Sequence, residues 1–122
     1  MATVGYLEGT DPLILTRLAV RGIGTYPLSN GFDSHGKNLF LLRKEDGISL
    51  VVGPLHKVVP TPGLTITMHD LIYPCLANNI PVILVVPKED HAEAKKLVQQ
   101  FGDHVRLVDP AELYETIFWM LG

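Results

Sequence analysis

Apolar residues in this chain follow two patterns that alternate along the sequence, one typical of strands and the other of helices. Short runs in which almost every residue is apolar, such as residues 81–86 (PVILVV), indicate strands buried on both faces of a parallel sheet. Segments in which apolar residues recur every three or four positions, such as residues 91–101, predict amphipathic helices. The predicted strands are residues 3–8, 24–28, 48–53, 81–86 and 104–108.

Capping residues and prolines place the ends of the helices. Asp11 followed by Pro12 predicts a helix start, because the Asp side chain accepts a backbone N–H and proline at the first helical position removes no needed donor. The same pair at residues 109–110 predicts the start of a last helix that runs to residue 121. Thr67 and Asp70 predict a further start by the capping-box pattern. The chain therefore contains about four or five helices.

Strands that alternate with helices predict a single α/β domain over residues 1–122. Right-handed crossovers between about five strands produce a doubly wound, mostly parallel sheet between two helical layers. The flavodoxin-like strand order 2-1-3-4-5 is the first choice, and the Rossmann-like order 3-2-1-4-5 is the alternative. Pro27 favours an edge position for the second strand, because proline cannot donate to a ladder.

Composition and charge exclude several classes of function. The chain is 47% hydrophobic and 19% charged with a mean hydropathy of +0.23, which favours buried strands and some surface covered by a partner subunit. A net charge of −3 without a basic cluster argues against nucleic-acid binding. Apolar stretches are too short to span a membrane, and the N-terminus lacks a signal-peptide pattern. A single cysteine, Cys75, indicates a reducing compartment, so we expect a cytoplasmic protein.

The predicted topology places a binding crevice beyond the carboxyl ends of the first and third strands, where the winding reverses. Four residues in the two loops there are candidate ligand contacts: Thr10, Asp11, His56 and Lys57. The helix that begins at Asp11 directs its N-terminal dipole into this region, which favours an anionic group.

Two of these residues carry candidate chemistry. His56 is a candidate catalytic acid or base, or a phosphate ligand, and Lys57 supplies positive charge beside it. The alternative is that both are solvated loop residues next to a proline-rich turn. Asp11 has the alternative role of a helix cap, whereas the Thr10 hydroxyl could contact a phosphate.

Familiar cofactor motifs do not occur. Glu8-Gly9-Thr10-Asp11 follows the first strand where a dinucleotide-binding protein has GxGxxG, and the sequence contains neither a P-loop nor HExxH. Paired cysteines for zinc are also missing. No metal site is therefore predicted, NAD enzymes and P-loop NTPases are disfavoured, and the identity of any cofactor stays open.

Three hypotheses about function stay open. The first is a binding module for an anionic metabolite or nucleotide, and the second is a small enzyme that uses His56 as acid or base. The third is an oligomeric accessory subunit without a small ligand. It draws on the last helix, which is apolar nearly all round and offers Tyr114 and Trp119 as anchors of a homo-oligomer interface. The alternative for that helix is deep packing against its own core.

Overall fold

A computed structural model describes residues 2–122, in which six strands form one parallel sheet with helices on both faces. The strands are β1 (Thr3–Leu7), β2 (Gly24–Ser29), β3 (Lys37–Asn38), β4 (Leu50–Pro54), β5 (Val82–Val85) and β6 (Val105–Val108). The helices are α1 (Pro12–Val20), α2 (Met68–Ala77), α3 (His91–Val98) and α4 (Leu113–Leu121). The strands pair in the order β3-β2-β1-β4-β5-β6, and every pair is parallel.

The prediction of five strands is wrong by one. The five predicted strands correspond to β1, β2, β4, β5 and β6, and β3 is the additional one. It consists of only Lys37 and Asn38, which pair with Leu28 and Ser29 of β2. A two-residue polar strand has no hydrophobic alternation, so periodicity could not reveal it.

The additional strand also corrects the position of β2. This strand is not at the edge of the sheet, because β3 pairs with its last two residues. Pro27 lies immediately before those residues, so its missing N–H falls outside the β2–β3 ladder. Proline is tolerated in β2 because β3 is too short to pair with Pro27, and not because β2 is an edge strand.

Two buried clusters hold the three layers together. On one face of the sheet α1 and α4 contribute Ile14, Leu18, Leu113 and Ile117 to the core. On the other face α2 and α3 contribute to a second cluster with residues such as Leu71 and Val98. β4 and β5 are buried on both faces, as their continuous apolar runs predict.

A glycine permits the close approach of β1 and β4 near their carboxyl ends. A Cβ atom built on Gly53 would lie 2.7 Å from the Cβ and Cδ1 atoms of Leu7. Because Leu7 Cβ is fixed to the backbone, a larger residue at position 53 would force the two strands apart.

Across the described part of the chain, no helix is both long and apolar enough to cross a membrane.

Candidate functional site

The carboxyl ends of β1, β2 and β4 meet in a charged cluster centred on Lys57. Lys57 Nζ lies 2.8 Å from Glu8 Oε1 and 3.3 Å from Asp33 Oδ2. The backbone carbonyl of Lys57 also accepts a hydrogen bond of 2.9 Å from Asn30 Nδ2. We call Glu8, Asn30, Asp33 and Lys57 the Lys57 cluster. It joins loops that follow three different strands, at the point where sequence reasoning placed the crevice.

Buried polar side chains shape the loops around the cluster. The Thr10 hydroxyl donates a 2.7 Å hydrogen bond to the carbonyl of Leu7, so it is directed inward. Ser29 Oγ donates to the carbonyl of Asp33 at 2.8 Å, and Asn30 Oδ1 accepts from the amide of Phe32 at 2.8 Å. The hydrogen bonds of Ser29 and Asn30 order the loop after β2 without using Lys57 Nζ.

Sequence reasoning identified Lys57 but missed its partners. Asn30 and Asp33 lie in the polar, glycine-bearing segment after the second predicted strand. Because that segment follows a strand, it lies at the carboxyl-end rim of a parallel sheet. This position is the one signal that could have identified Asn30 and Asp33. Glu8, at the end of β1, has no role that the sequence pattern predicts.

Ion pairing shifts the pKa values within the cluster. The pKa of Lys57 is raised, chiefly by its hydrogen bond to Glu8; desolvation opposes this effect, and the contact with Asp33 adds to it. Desolvation acts to raise the pKa of Asp33, but the nearby Ser29 hydroxyl and the hydrogen bonds from Lys57 and the His35 backbone together outweigh it, and the net pKa is lowered. Lys57 therefore stays protonated and paired at neutral pH, which disfavours a role as nucleophile or base.

The lowered pKa of Asp33 makes stability depend on pH in a defined direction. Because the folded-state pKa lies below the ordinary value of 3.8, ionised Asp33 stabilises the fold above that pH. The contribution disappears as pH falls through the folded-state pKa. We expect Asp33→Asn to lower Tm near pH 6, and the Tm difference from the wild type to shrink toward pH 3.

Circular dichroism melts of both proteins between pH 6 and pH 3 measure this effect. The same substitution in a Lys57→Met background serves as the control, because the cation that favours the ionised form is then missing. A Tm difference that stays constant across the pH range would contradict the assignment.

A second feature of the rim is an open cleft of about 580 Å³ at the carboxyl ends of β4 and β5. Its floor is the end of β5, one wall is the turn Leu55–Val58 that follows β4, and the other wall is α3. The lining residues are Leu55, His56, Val85, Val86, Pro87, Asp90, Glu93, Ala94, Lys96 and Leu97. Most of the exposed lining is apolar, and the charged groups come from α3 and the turn before it.

The structure separates His56 from Lys57, although they are adjacent in sequence. His56 is exposed on the wall of the cleft, whereas Lys57 points into the charged cluster. Among residues 2–122, no hydrogen bond orients the His56 ring. Of these two residues, His56 lies on the wall of the cleft and Lys57 lies in the predicted crevice.

Asp11 lies at the start of α1 and acts as its cap. Its Oδ1 accepts a hydrogen bond of 2.9 Å from the Leu13 amide, and its carbonyl accepts from Ile14 and Leu15. The capping alternative is therefore confirmed, and the cap occupies the amides that were expected to face an anion.

The two predicted interface residues have different surroundings. Tyr114 packs edge to face against Phe118 at 4.7 Å, and the Arg17 guanidinium lies 3.4 Å from its ring centre. Trp119 is 70% exposed, with the Arg106 guanidinium 5.1 Å from its ring centre. Tyr114 thus packs partly against residues of its own domain, and the oligomer interface stays a prediction.

No group of three or more His, Cys, Asp or Glu residues within residues 2–122 is placed to hold a metal ion. The chain matches no protein-family model, and no curated protein is significantly similar to it, so its function is inferred from geometry.

Proposed function

We propose that this protein is a binding module for a small molecule that occupies the cleft at the carboxyl ends of β4 and β5. One observation carries the proposal: an apolar-walled cleft of about 580 Å³ lies at the carboxyl-end rim of the sheet, between β4 and β5 and next to the β1–β4 switch point where doubly wound proteins bind ligands. Ligand sites are typically concave and mostly apolar, with volumes of about 300–1,000 Å³ and a few polar groups that orient the ligand.

The strand order supports a Rossmann-like layout. With β3 included, the order matches 3-2-1-4-5-6, and without it the remaining strands follow 2-1-3-4-5. We infer a reduced Rossmann-like sandwich in which 3-10 turns, Leu39–Leu41 and Lys44–Asp46, replace the usual helix between β3 and β4. The single buried, free cysteine supports the expectation of a reducing, cytoplasmic compartment.

Binding is favoured over catalysis by the state of His56. A general base is usually oriented by a hydrogen bond from a neighbouring group, and no such bond holds this ring among residues 2–122. His56 therefore serves better as a ligand contact on the cleft wall. The hypothesis of an enzyme that uses His56 stays open to a direct activity test.

We expect Leu97→Asp to weaken binding of any cleft ligand by at least about tenfold. Leu97 lines the cleft and is partly exposed, so the substitution removes apolar contact area without emptying the core. Leu13→Asp is the matched control, because Leu13 is exposed on α1 on the opposite face of the sheet.

A ¹H–¹⁵N NMR screen with a mixture of small fragments locates the ligand site even though the ligand itself is unidentified. The expected result is a set of shifted amides at Leu55, His56, Val86 and Ala94, lost in Leu97→Asp and kept in Leu13→Asp. Shifts confined to Thr10 and the Lys57 cluster would contradict the proposal and return the site to the predicted crevice.

A further inference from the structure

The charges around the cleft bear on the kind of ligand that it can accept. Of the ten residues that line it, Asp90 and Glu93 carry negative charge and only Lys96 carries a fixed positive charge. Lys96 Nζ lies 3.4 Å from Glu93 Oε1, so its charge is partly compensated within α3. The cleft lining is therefore acidic rather than basic.

Several backbone donors at the helix starts of the rim already have acceptors within the chain. At the start of α1, the amides of Leu13, Ile14 and Leu15 donate to the side chain or carbonyl of Asp11. In the turn that leads to α3, the amide of Lys88 donates to Asp109 Oδ1 and that of Asp90 to the carbonyl of Pro87. An anion would have to displace the chain's own acceptors to use these donors.

The ammonium group of Lys57, at the rim of the sheet, already has anionic partners. Lys57 has two carboxylates within 3.3 Å, Glu8 and Asp33, so that group as a whole carries a net negative charge. A phosphate at this position would meet both carboxylates along with the ammonium group. Like charges at such distances disfavour an anionic ligand.

Asp90 offers a free hydrogen-bond acceptor to an uncharged or cationic ligand. Its side chain makes no capping hydrogen bond at the start of α3 and no ion pair within residues 2–122. Ala94 and Leu97 follow on the same face of α3, and Leu97 lies about 10 Å along the helix axis from Asp90. The wall thus presents a free acceptor at one end and an apolar surface beyond it.

We infer that the cleft selects a ligand with an apolar body and hydrogen-bond donors, a neutral nucleoside-like molecule or an organic amine, and discriminates against an anion. The donors contact Asp90 and Glu93, and the body lies on Leu55, Ala94 and Leu97. This inference rests on the proposed function and replaces the anionic part of the sequence-based hypothesis with a ligand of opposite charge preference.

Pairs of probes with the same body and different charge test the inference. Adenosine is compared with AMP, and tryptamine with indole-3-acetate, by ¹H–¹⁵N NMR titration of the wild type, Asp90→Asn and Leu13→Asp. We expect the uncharged or cationic member of at least one pair to bind the cleft about tenfold more tightly than its anionic partner. Asp90→Asn should reduce that ratio, and Leu13→Asp should leave it unchanged.

The possible failures are distinguishable. If AMP and indole-3-acetate both bind in the cleft as tightly as their partners, the charge preference is overturned and the proposed function stays intact. An unchanged ratio in Asp90→Asn would overturn the role of that carboxylate. If none of the four probes shifts any cleft amide, the inferred ligand class fails, and the fragment screen with Leu97→Asp decides the proposed function separately.

Discussion

Replacement of Leu18 by alanine is expected to lower the free energy of unfolding by about 2–5 kcal/mol. Leu18 is fully buried between α1 and the sheet, in the cluster that also contains Val4, Leu50 and Ile117. Removal of its side chain leaves a cavity lined by residues from a helix and two central strands, which cannot all move inward. The loss therefore includes both the transfer of apolar surface and the unfilled volume.

Leu13→Ala provides a control within the same helix. Leu13 is 71% exposed, so the same chemical change should alter the free energy of unfolding by less than about 0.5 kcal/mol. Urea unfolding followed by circular dichroism measures both variants against the wild type. Equal losses at the two positions would show that α1 does not pack on the sheet through Leu18.

Cys75 is expected to resist alkylation in the native protein by at least about a thousandfold relative to the unfolded chain. Its side chain is fully buried in α2, and burial raises the pKa of the thiol from 9.0 to about 12. At pH 8 this change alone reduces the population of the reactive thiolate about a thousandfold. Steric exclusion of the reagent adds to the effect.

Mass spectrometry after iodoacetamide treatment at pH 8 reports the reaction as a single added mass, since the chain contains one cysteine. The protein in urea provides the unprotected reference rate. Leu18→Ala, which raises the unfolded population, should speed the native reaction if labelling proceeds through global unfolding. Rapid labelling of the wild type without urea would contradict the burial of Cys75.

The packing that buries Leu18 and Cys75 also supports the cleft. The cores on the two faces of the sheet fix the strands, and the strands fix the loops that form the rim. The turn Leu55–Val58 is anchored on one side by Lys57, whose side chain and carbonyl both have partners in the loops after β1 and β2. Loss of that anchor would therefore disturb the neighbouring cleft wall as well.

The candidate site could be located from sequence only in part. The rule that ligands bind at the carboxyl ends of parallel strands identified the rim, and both His56 and Lys57 lie there. Their roles could not be separated, because the direction of each side chain depends on a 3-10 turn whose neighbours are distant in sequence. The helical pattern over residues 91–101 includes Leu97 but not Asp90, and nothing in such a pattern shows which cleft the helix borders.

The amino-acid pattern by itself determined the α/β class, the five longer strands and the capped start of α1, because periodicity, capping and buried apolar runs are local properties. The tertiary structure alone decided that β3 extends the sheet, since backbone hydrogen bonds to β2 stabilise two polar residues that have no strand pattern of their own. It also decided that Lys57 meets Glu8 and Asp33, which are 49 and 24 residues away in the chain. Such contacts depend on which strands lie side by side in the sheet, and that spatial order is set by packing across the whole sheet.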